Sequence, residues 1–278
     1  MIFDLADSSF AHCAYSNNPT PPLQEPKELR WNRDLSNPKS DAIFITDHAI
    51  PQLAGLQGRR KIAWLLEPME INSGLYQWVR QNHANFFAVM SHDIEYFSDL
   101  PNYLWVPFGG CWIPKDQWGY SGDRSGVSIV ASEKRMTLGH CLRHQIIQSA
   151  KSQGLDLKCY GRAYRRVEHK IETMDRGFQV VIENASRNGY FTEKLIDCLV
   201  TGTVPIYWGC PNLEEYGFDE KGIVRVSNEL EAIEAIRRCS EAEPVDFAAS
   251  ITNNMNAARK FILAEDYIHE HYLELLSK

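Results

Sequence analysis

Three short apolar runs, D-A-I-F-I-T-D-H (41–48), R-K-I-A-W-L-L (60–66) and F-F-A-V-M-S (86–91), are separated by stretches with helical spacing. Each is strand-length and apolar at nearly every position, so each reads as a strand covered on both faces. Strands covered on both faces need helices above and below, which βαβ units supply; the chain is therefore read as parallel α/β. Y-L-W-V-P-F (103–108) adds a fourth strand. The glycine- and serine-rich W-G-Y-S-G-D-R-S-G (118–126) interrupts the pattern, which then restarts with strands over 127–132, 156–160, 178–184 and 203–209. Helices are expected over 137–153 and 192–200, and the chain closes with helices over 229–239 and 246–276. This predicts two doubly wound units: 1–118, a linker over 119–126, and 127–278, the last helix free to return to the first unit. One continuous sheet is the alternative, and only the linker argues against it. The first 40 residues read as irregular, with N-N-P-T-P-P-L-Q-E-P-K (17–27) extended or looped.

The formal charge of −7, from 36 acidic and 29 basic residues among 278, argues against a general nucleic-acid binder but permits a local basic pocket for phosphate. No apolar run reaches the ~18–20 residues that span a bilayer. M-I-F-D-L-A-D lacks the basic and apolar regions of a secretory signal. Seven scattered cysteines without a C-x-x-C pair read as small buried hydrophobes in a reducing compartment, which predicts a cytoplasmic protein.

The densest chemistry lies in E-N-A-S-R-N-G-Y-F-T-E-K-L-I-D-C-L-V-T-G-T-V-P-I-Y-W-G (183–209). A strand ends in the polar pair Glu183-Asn184, R-N-G turns the chain, and Thr192 caps a helix beginning at Glu193. A helix N-terminus presents free N–H groups and partial positive charge, which suits a phosphate, and Lys194 adds a cation. By itself this is an anion-friendly helix cap, and an ordinary well-capped helix satisfies the same local pattern.

The spacing E-N-x(5)-Y-x-T-E-K-L followed by V-P-I-Y-W-G resembles the donor-binding motif of the family 10 glycosyltransferases, the α-1,3/1,4-fucosyltransferases. Lys61–Pro68 is similar to the strand that ends in F-E-S-P in that family, V-P-F-G (106–109) to its V-P-Y-G, and C-Y-G-R (159–162) to its V-Y-G-R. V-A-S-E-K-R-M-T-L-G-H-C-L-R-H-Q (130–145) is similar to its strand-loop-helix that presents an arginine, here Arg143. The resemblance implies a GT-B fold, two Rossmann-like domains facing a central cleft. It also implies inverting transfer of L-fucose from GDP-fucose to a hydroxyl of a glycan or glycoconjugate acceptor. No D-x-D occurs, and the resemblance implies that no metal cofactor is required, cations and a helix N-terminus neutralising the diphosphate.

By position Glu67 matches the family's proposed general base, and its strand is too apolar to hold a carboxylate inside. Packing beside Trp64 and Leu66 is expected to raise its pKa. Glu70 is the competing carboxylate, and with His92 is assigned to the acceptor side. Glu193 is the second catalytic candidate, bonding donor hydroxyls and favouring positive charge on the sugar ring. Arg143, Lys194, Asn184, Tyr190, Thr192, Glu183 and Arg162 are the donor-binding candidates. Two departures stand out: Ile182 replaces the family's phenylalanine, and Leu66-Glu67-Pro68 lacks its serine. Transfer from another nucleotide sugar, or a non-catalytic glycan- or nucleotide-binding module, are the alternatives.

Overall fold

The computed structural model describes residues 1–7, 25–119 and 124–276. Most of the proline-rich 17–27 stretch and residues 120–123 of the expected linker lie outside the described residues. The chain divides into a first unit of Met1–Gly110, Asn188–Tyr190 and Leu263–Lys278, and a second of Cys111–Arg187 and Phe191–Ile262.

The first unit contains β1 (Ile2–Ala6), β2 (Arg30–Asn32), β3 (Ala42–Thr46), α1 (Ala49–Leu53), β4 (Arg60–Leu65), α2 (Met69–Asn82), β5 (Ala88–Ser91), α3 (Ile94–Phe97) and β6 (Tyr103–Trp105). Its sheet is parallel throughout, in the order β2-β1-β3-β4-β5-β6. Successive residues of β3 enter opposite cores. Phe44 joins Phe3, Trp31, Trp64 and Met90 on one face, while Ile43 and Ile45 meet Ile50, Leu75, Tyr76 and Val79 on the other. Such double-sided burial is why these strands read as unbroken apolar runs.

The second unit contains β7 (Val127–Val130), α4 (Leu138–Ser152), β8 (Leu157–Tyr160), β9 (Phe178–Ile182), α5 (Glu193–Val200), β10 (Val204–Trp208), β11 (Val224–Arg225), α6 (Glu229–Ser240) and α7 (Ala248–Ala258). Its sheet, also parallel, runs β11-β10-β9-β7-β8. Leu142, Ile146 and Ile147 of α4 and Ile233 and Ile236 of α6 share a core with Val127, Ile129, Val180 and Ile206. Gly202, at φ +66°, lets the chain leave α5 and enter β10 within a few residues.

Two expectations fail. The irregular start contains β1 and β2, hidden from the apolar pattern by Asp4, which is fully buried in mid-strand. Its carboxylate is satisfied by Asn32, by the Lys39 N–H at 3.0 Å and by the Arg59 guanidinium. The expected single helix over 246–276 is broken into α7, a 3-10 turn over Arg259–Phe261, and α8 (Ala264–Leu276). Phe261, Ile262, Leu263 and Ala264 are consecutive and all buried, which no single stripe of a surface helix accommodates. Helix α8 belongs to the first unit, where Ile268 and Leu276 complete the core around Trp31 and Trp64.

Candidate active site

In the second sheet the chain runs from β7 outward to β8 through α4, but from β9 the opposite way to β10 through α5. The order reverses between β7 and β9, and in open α/β sheets that crevice, beyond the carboxyl ends of the strands, takes the ligand. The notable polar segment starts there. The Glu183 N–H donates to Trp208 O at 2.9 Å, extending the ladder by one residue before the chain turns.

Glu183 is fully buried. Its Oε1 accepts from the Thr192 N–H at 2.9 Å and its Oε2 from the Thr192 hydroxyl at 2.7 Å. Burial pushes the Glu183 carboxyl up, against the pull of Lys194. Thr192 in turn caps α5, its oxygen accepting from the Lys194 N–H at 3.3 Å. The Lys194 ammonium lies 3.1 Å from Glu193 Oε1, 3.1 Å from Thr192 Oγ1 and 3.6 Å from Glu183 Oε2. Desolvation works against that charge, but the Glu193 and Glu183 carboxylates outweigh it and the lysine pKa is raised. Burial likewise opposes Glu193 ionisation, and the Lys194 and Lys170 ammoniums overcome it, leaving the carboxyl below its ordinary value.

Arg143 reaches the same tail from α4. It is buried, with Nε donating to Ile182 O at 3.0 Å, and Nη2 bonding the same carbonyl and Asn184 Oδ1, the latter at 3.0 Å. Thr137 caps α4 by accepting from the His140 N–H at 3.2 Å. The His140 imidazole is pushed down to about 4 by burial and by the positive charges of Arg143, Lys134 and Lys194. It is therefore neutral at neutral pH, burial being the larger cause and the neighbouring cations the lesser ones.

Arg143, Glu183, Asn184, Thr192, Glu193 and Lys194 are thus brought together as one cluster. Tyr190 falls in the first unit, where its ring lies on that of His92, centroids 4.5 Å apart and both side chains almost fully buried. His92, read as a group for the acceptor, is packed rather than presented to solvent. Arg162 is exposed in the turn after β8, outside the hydrogen-bonded cluster.

Glu67 follows β4 in the first unit and is partly exposed, while Glu70 in the first turn of α2 is exposed. The Glu67 backbone is held on both sides. The Leu66 N–H donates to Asp47 Oδ1 at 3.0 Å, and the Tyr76 hydroxyl donates to Glu67 O at 3.0 Å. Asp47 takes the left-handed φ of +38°, a conformation few non-glycine residues adopt. The Trp64 indole lies in the aromatic cluster with Trp31 and Phe44, centroids 6.0 and 6.2 Å away.

Sequence reasoning missed Asp47, His140, Lys170 and Asp197. Of these only Asp197 carried a signal, as the one acid inside the apolar body of L-I-D-C-L-V. Among the described residues, no group of three or more His, Cys, Asp or Glu side chains is placed to hold a metal ion, and no helix is long and apolar enough to cross a membrane.

Residues 124–221, spanning β7 through β10, match the family model described as glycosyltransferase family 10 (fucosyltransferase) C-term. This stretch of the chain is similar to glycosyltransferase family 10. An alpha-(1,3)-fucosyltransferase of Helicobacter pylori is 41% identical over 75 residues, 26% of this chain and 16% of that protein. The aligned stretch of this chain therefore spans about a sixth of that bacterial relative's length. The crystal structure of an α1,3-fucosyltransferase with GDP aligns over 90% of this chain and 81% of its own, with a TM-score of 0.54 at 17% identity. That of an α1,3-fucosyltransferase with GDP-fucose aligns over 82% and 72%, with a TM-score of 0.50 at 17% identity. The fold is GT-B, as the two parallel sheets and these neighbours show.

Proposed function

We propose that the protein is an inverting glycosyltransferase that moves L-fucose from GDP-fucose to a hydroxyl of an acceptor glycan. The observation that carries this reading is the charged cluster at the β7/β9 crevice, where the family 10 motif, two capped helix N-termini and the cations Lys194 and Arg143 meet. Such a place suits a diphosphate leaving group: preorganised positive charge stabilises the oxyanion as the glycosidic bond lengthens. Lys194 supplies the mobile charge, because its ammonium is held protonated and a quarter of its side chain faces solvent. Arg143 acts by holding Asn184 and the β9 tail. Glu193, ionised beside Lys194, is suited to favour the positive charge that grows on the sugar ring. In the transfer itself the acceptor oxygen attacks the anomeric carbon and the bond to the diphosphate breaks. The hydroxyl proton passes to a carboxylate, for which Glu67 is the candidate.

A thermal-shift and calorimetric series with GDP, GDP-fucose, GDP-mannose and UDP-sugars tests the donor. GDP-fucose is expected to stabilise the protein most; a ligand at 100 times its Kd adds about 2.7 kcal/mol. Stabilisation by UDP-sugars with none by GDP-fucose overturns the donor assignment. Normal turnover by Glu67→Gln removes Glu67 as the base.

A further inference from the structure

Helix α5 carries one residue that its packing does not call for. Asp197 is fully buried among Leu195, Ile196, Cys198 and Leu199, and lies four residues after Glu193, on the same face of the helix one turn on. Its Oδ1 accepts from the Trp112 N–H at 2.6 Å, and its Oδ2 stands 3.5 Å from the Lys170 ammonium. Lys170 opens the 3-10 turn Lys170–Met174 and lays its ammonium 5.6 Å over the Trp112 ring, with only 18% of its side chain exposed. A second segment of the unit therefore reaches onto the α5 face that bears Glu193, and binds it through an ion pair.

We propose that Lys170 is a positioning residue for the transfer reaction: paired with Asp197, it fixes the first turns of α5 and with them the Glu193 carboxylate. This rests on the reading of Glu193 as part of the donor site. Three features support it. The positions that flank 197 on α5 are apolar and buried, so an apolar residue there would suit the packing and the buried acid serves something else. Burial raises the Asp197 carboxyl to about 6 even with Lys170 beside it, so the group is kept at a cost to stability. The Lys170 charge also acts on Glu193, second only to Lys194 among the charges that lower it. The charged and titratable groups that act with this pair are Glu193 and Cys198 on α5 and Cys111 beside Trp112, with Lys194 next to Glu193 and Arg124 next to Cys198.

The test uses the full chain and compares Lys170→Met, Lys170→Arg and Asp197→Asn. Methionine keeps the apolar stem over Trp112, and asparagine keeps the acceptor for its N–H. In Lys170→Met, kcat for transfer from GDP-fucose is expected to fall about 10- to 100-fold, as for a misplaced reacting group, with GDP affinity by calorimetry unchanged. The acid limb of its kcat profile moves to higher pH, because an ammonium that lowers Glu193 has been removed. Lys170→Arg restores most of the rate. Asp197→Asn loses rate in the same direction while being at least as stable as wild type at pH 7, a combination that a merely structural role does not produce. Wild-type kcat in Lys170→Met or in Asp197→Asn overturns the proposal, as does a rate loss fully matched by loss of folded protein. If wild type turns over while these variants match it, only this inference fails. If wild type turns over no GDP-sugar, the proposed function fails and this inference falls with it.

Discussion

Gly139 is where a single methyl group tests the architecture of the β7/β9 crevice. A Cβ there would stand 1.8 Å from Glu183 O, 2.9 Å from the Glu183 carbonyl carbon and 3.1 Å from the Asn184 carbonyl carbon, where ordinary contact begins at 3.4 Å. All three atoms are backbone, so no rotamer change relieves the clash. The first turn of α4 must move away from the β9 tail by more than an ångström. That shift stretches the bond from the Gly139 N–H to Asn184 O at 3.3 Å and the Arg143 bonds to Ile182 and Asn184. Overpacking and the weakened hydrogen bonds amount to roughly 2–4 kcal/mol, against a gain of about 1 kcal/mol from replacing a helical glycine. Gly139→Ala is therefore expected to lower the urea midpoint at constant m-value and to weaken GDP binding. Gly74→Ala is the matched control: it lies inside α2 with nothing within 4 Å of its Cβ, and is expected to stabilise by about 0.5–1 kcal/mol. Two substitutions of identical chemistry should move the midpoint in opposite directions. If Gly139→Ala is as stable as wild type and binds GDP equally well, the close approach of α4 to β9 is not what shapes the crevice.

Two further outcomes follow from the same geometry. Thr192→Ala removes the α5 cap and one of the two donors to the buried Glu183 carboxylate, and is expected to cost roughly 2–4 kcal/mol in thermal or urea unfolding. Thr192→Ser should recover most of that, and equal losses from the two would show that the hydroxyl is not the operative group. Asp197 has its folded carboxyl raised from 3.8 to about 6 by burial, so its contribution is fully present below about pH 4 and is lost as pH rises through 6. At 1.36 kcal/mol per pH unit the loss approaches about 3 kcal/mol. Asp197→Asn should accordingly gain on wild type by up to that amount between pH 4 and pH 7, and a pH-independent difference would refute the assignment.

The parallel α/β class and most strands were legible because covering both faces of a strand leaves a continuous apolar run, as in A-I-F-I-T and F-Q-V-V-I. The same logic hid β1, whose mid-strand Asp4 is satisfied by Asn32, Lys39 and Arg59, the nearest of them 28 residues away in sequence. The break between α7 and α8 was equally invisible, since F-I-L-A suits a helix interior until the chain is seen to pass from one unit to the other.

What the sequence determined by itself is local chemistry: a strand that ends in Glu183-Asn184, a helix capped by Thr192, and Glu193 and Lys194 in its first turn. Each follows from residues within about ten positions of one another, a distance over which hydrogen-bonding habits and helix capping act directly. Only the tertiary structure decided what those groups face. Arg143 is locked onto the tail of β9, His140 sits neutral among cations, Tyr190 lies on His92, and Lys170 reaches Asp197 across 27 residues of chain. The strand order that reverses between β7 and β9 makes these encounters. Apolar patterning, which specifies that strands are buried, is blind to which strand lies beside which.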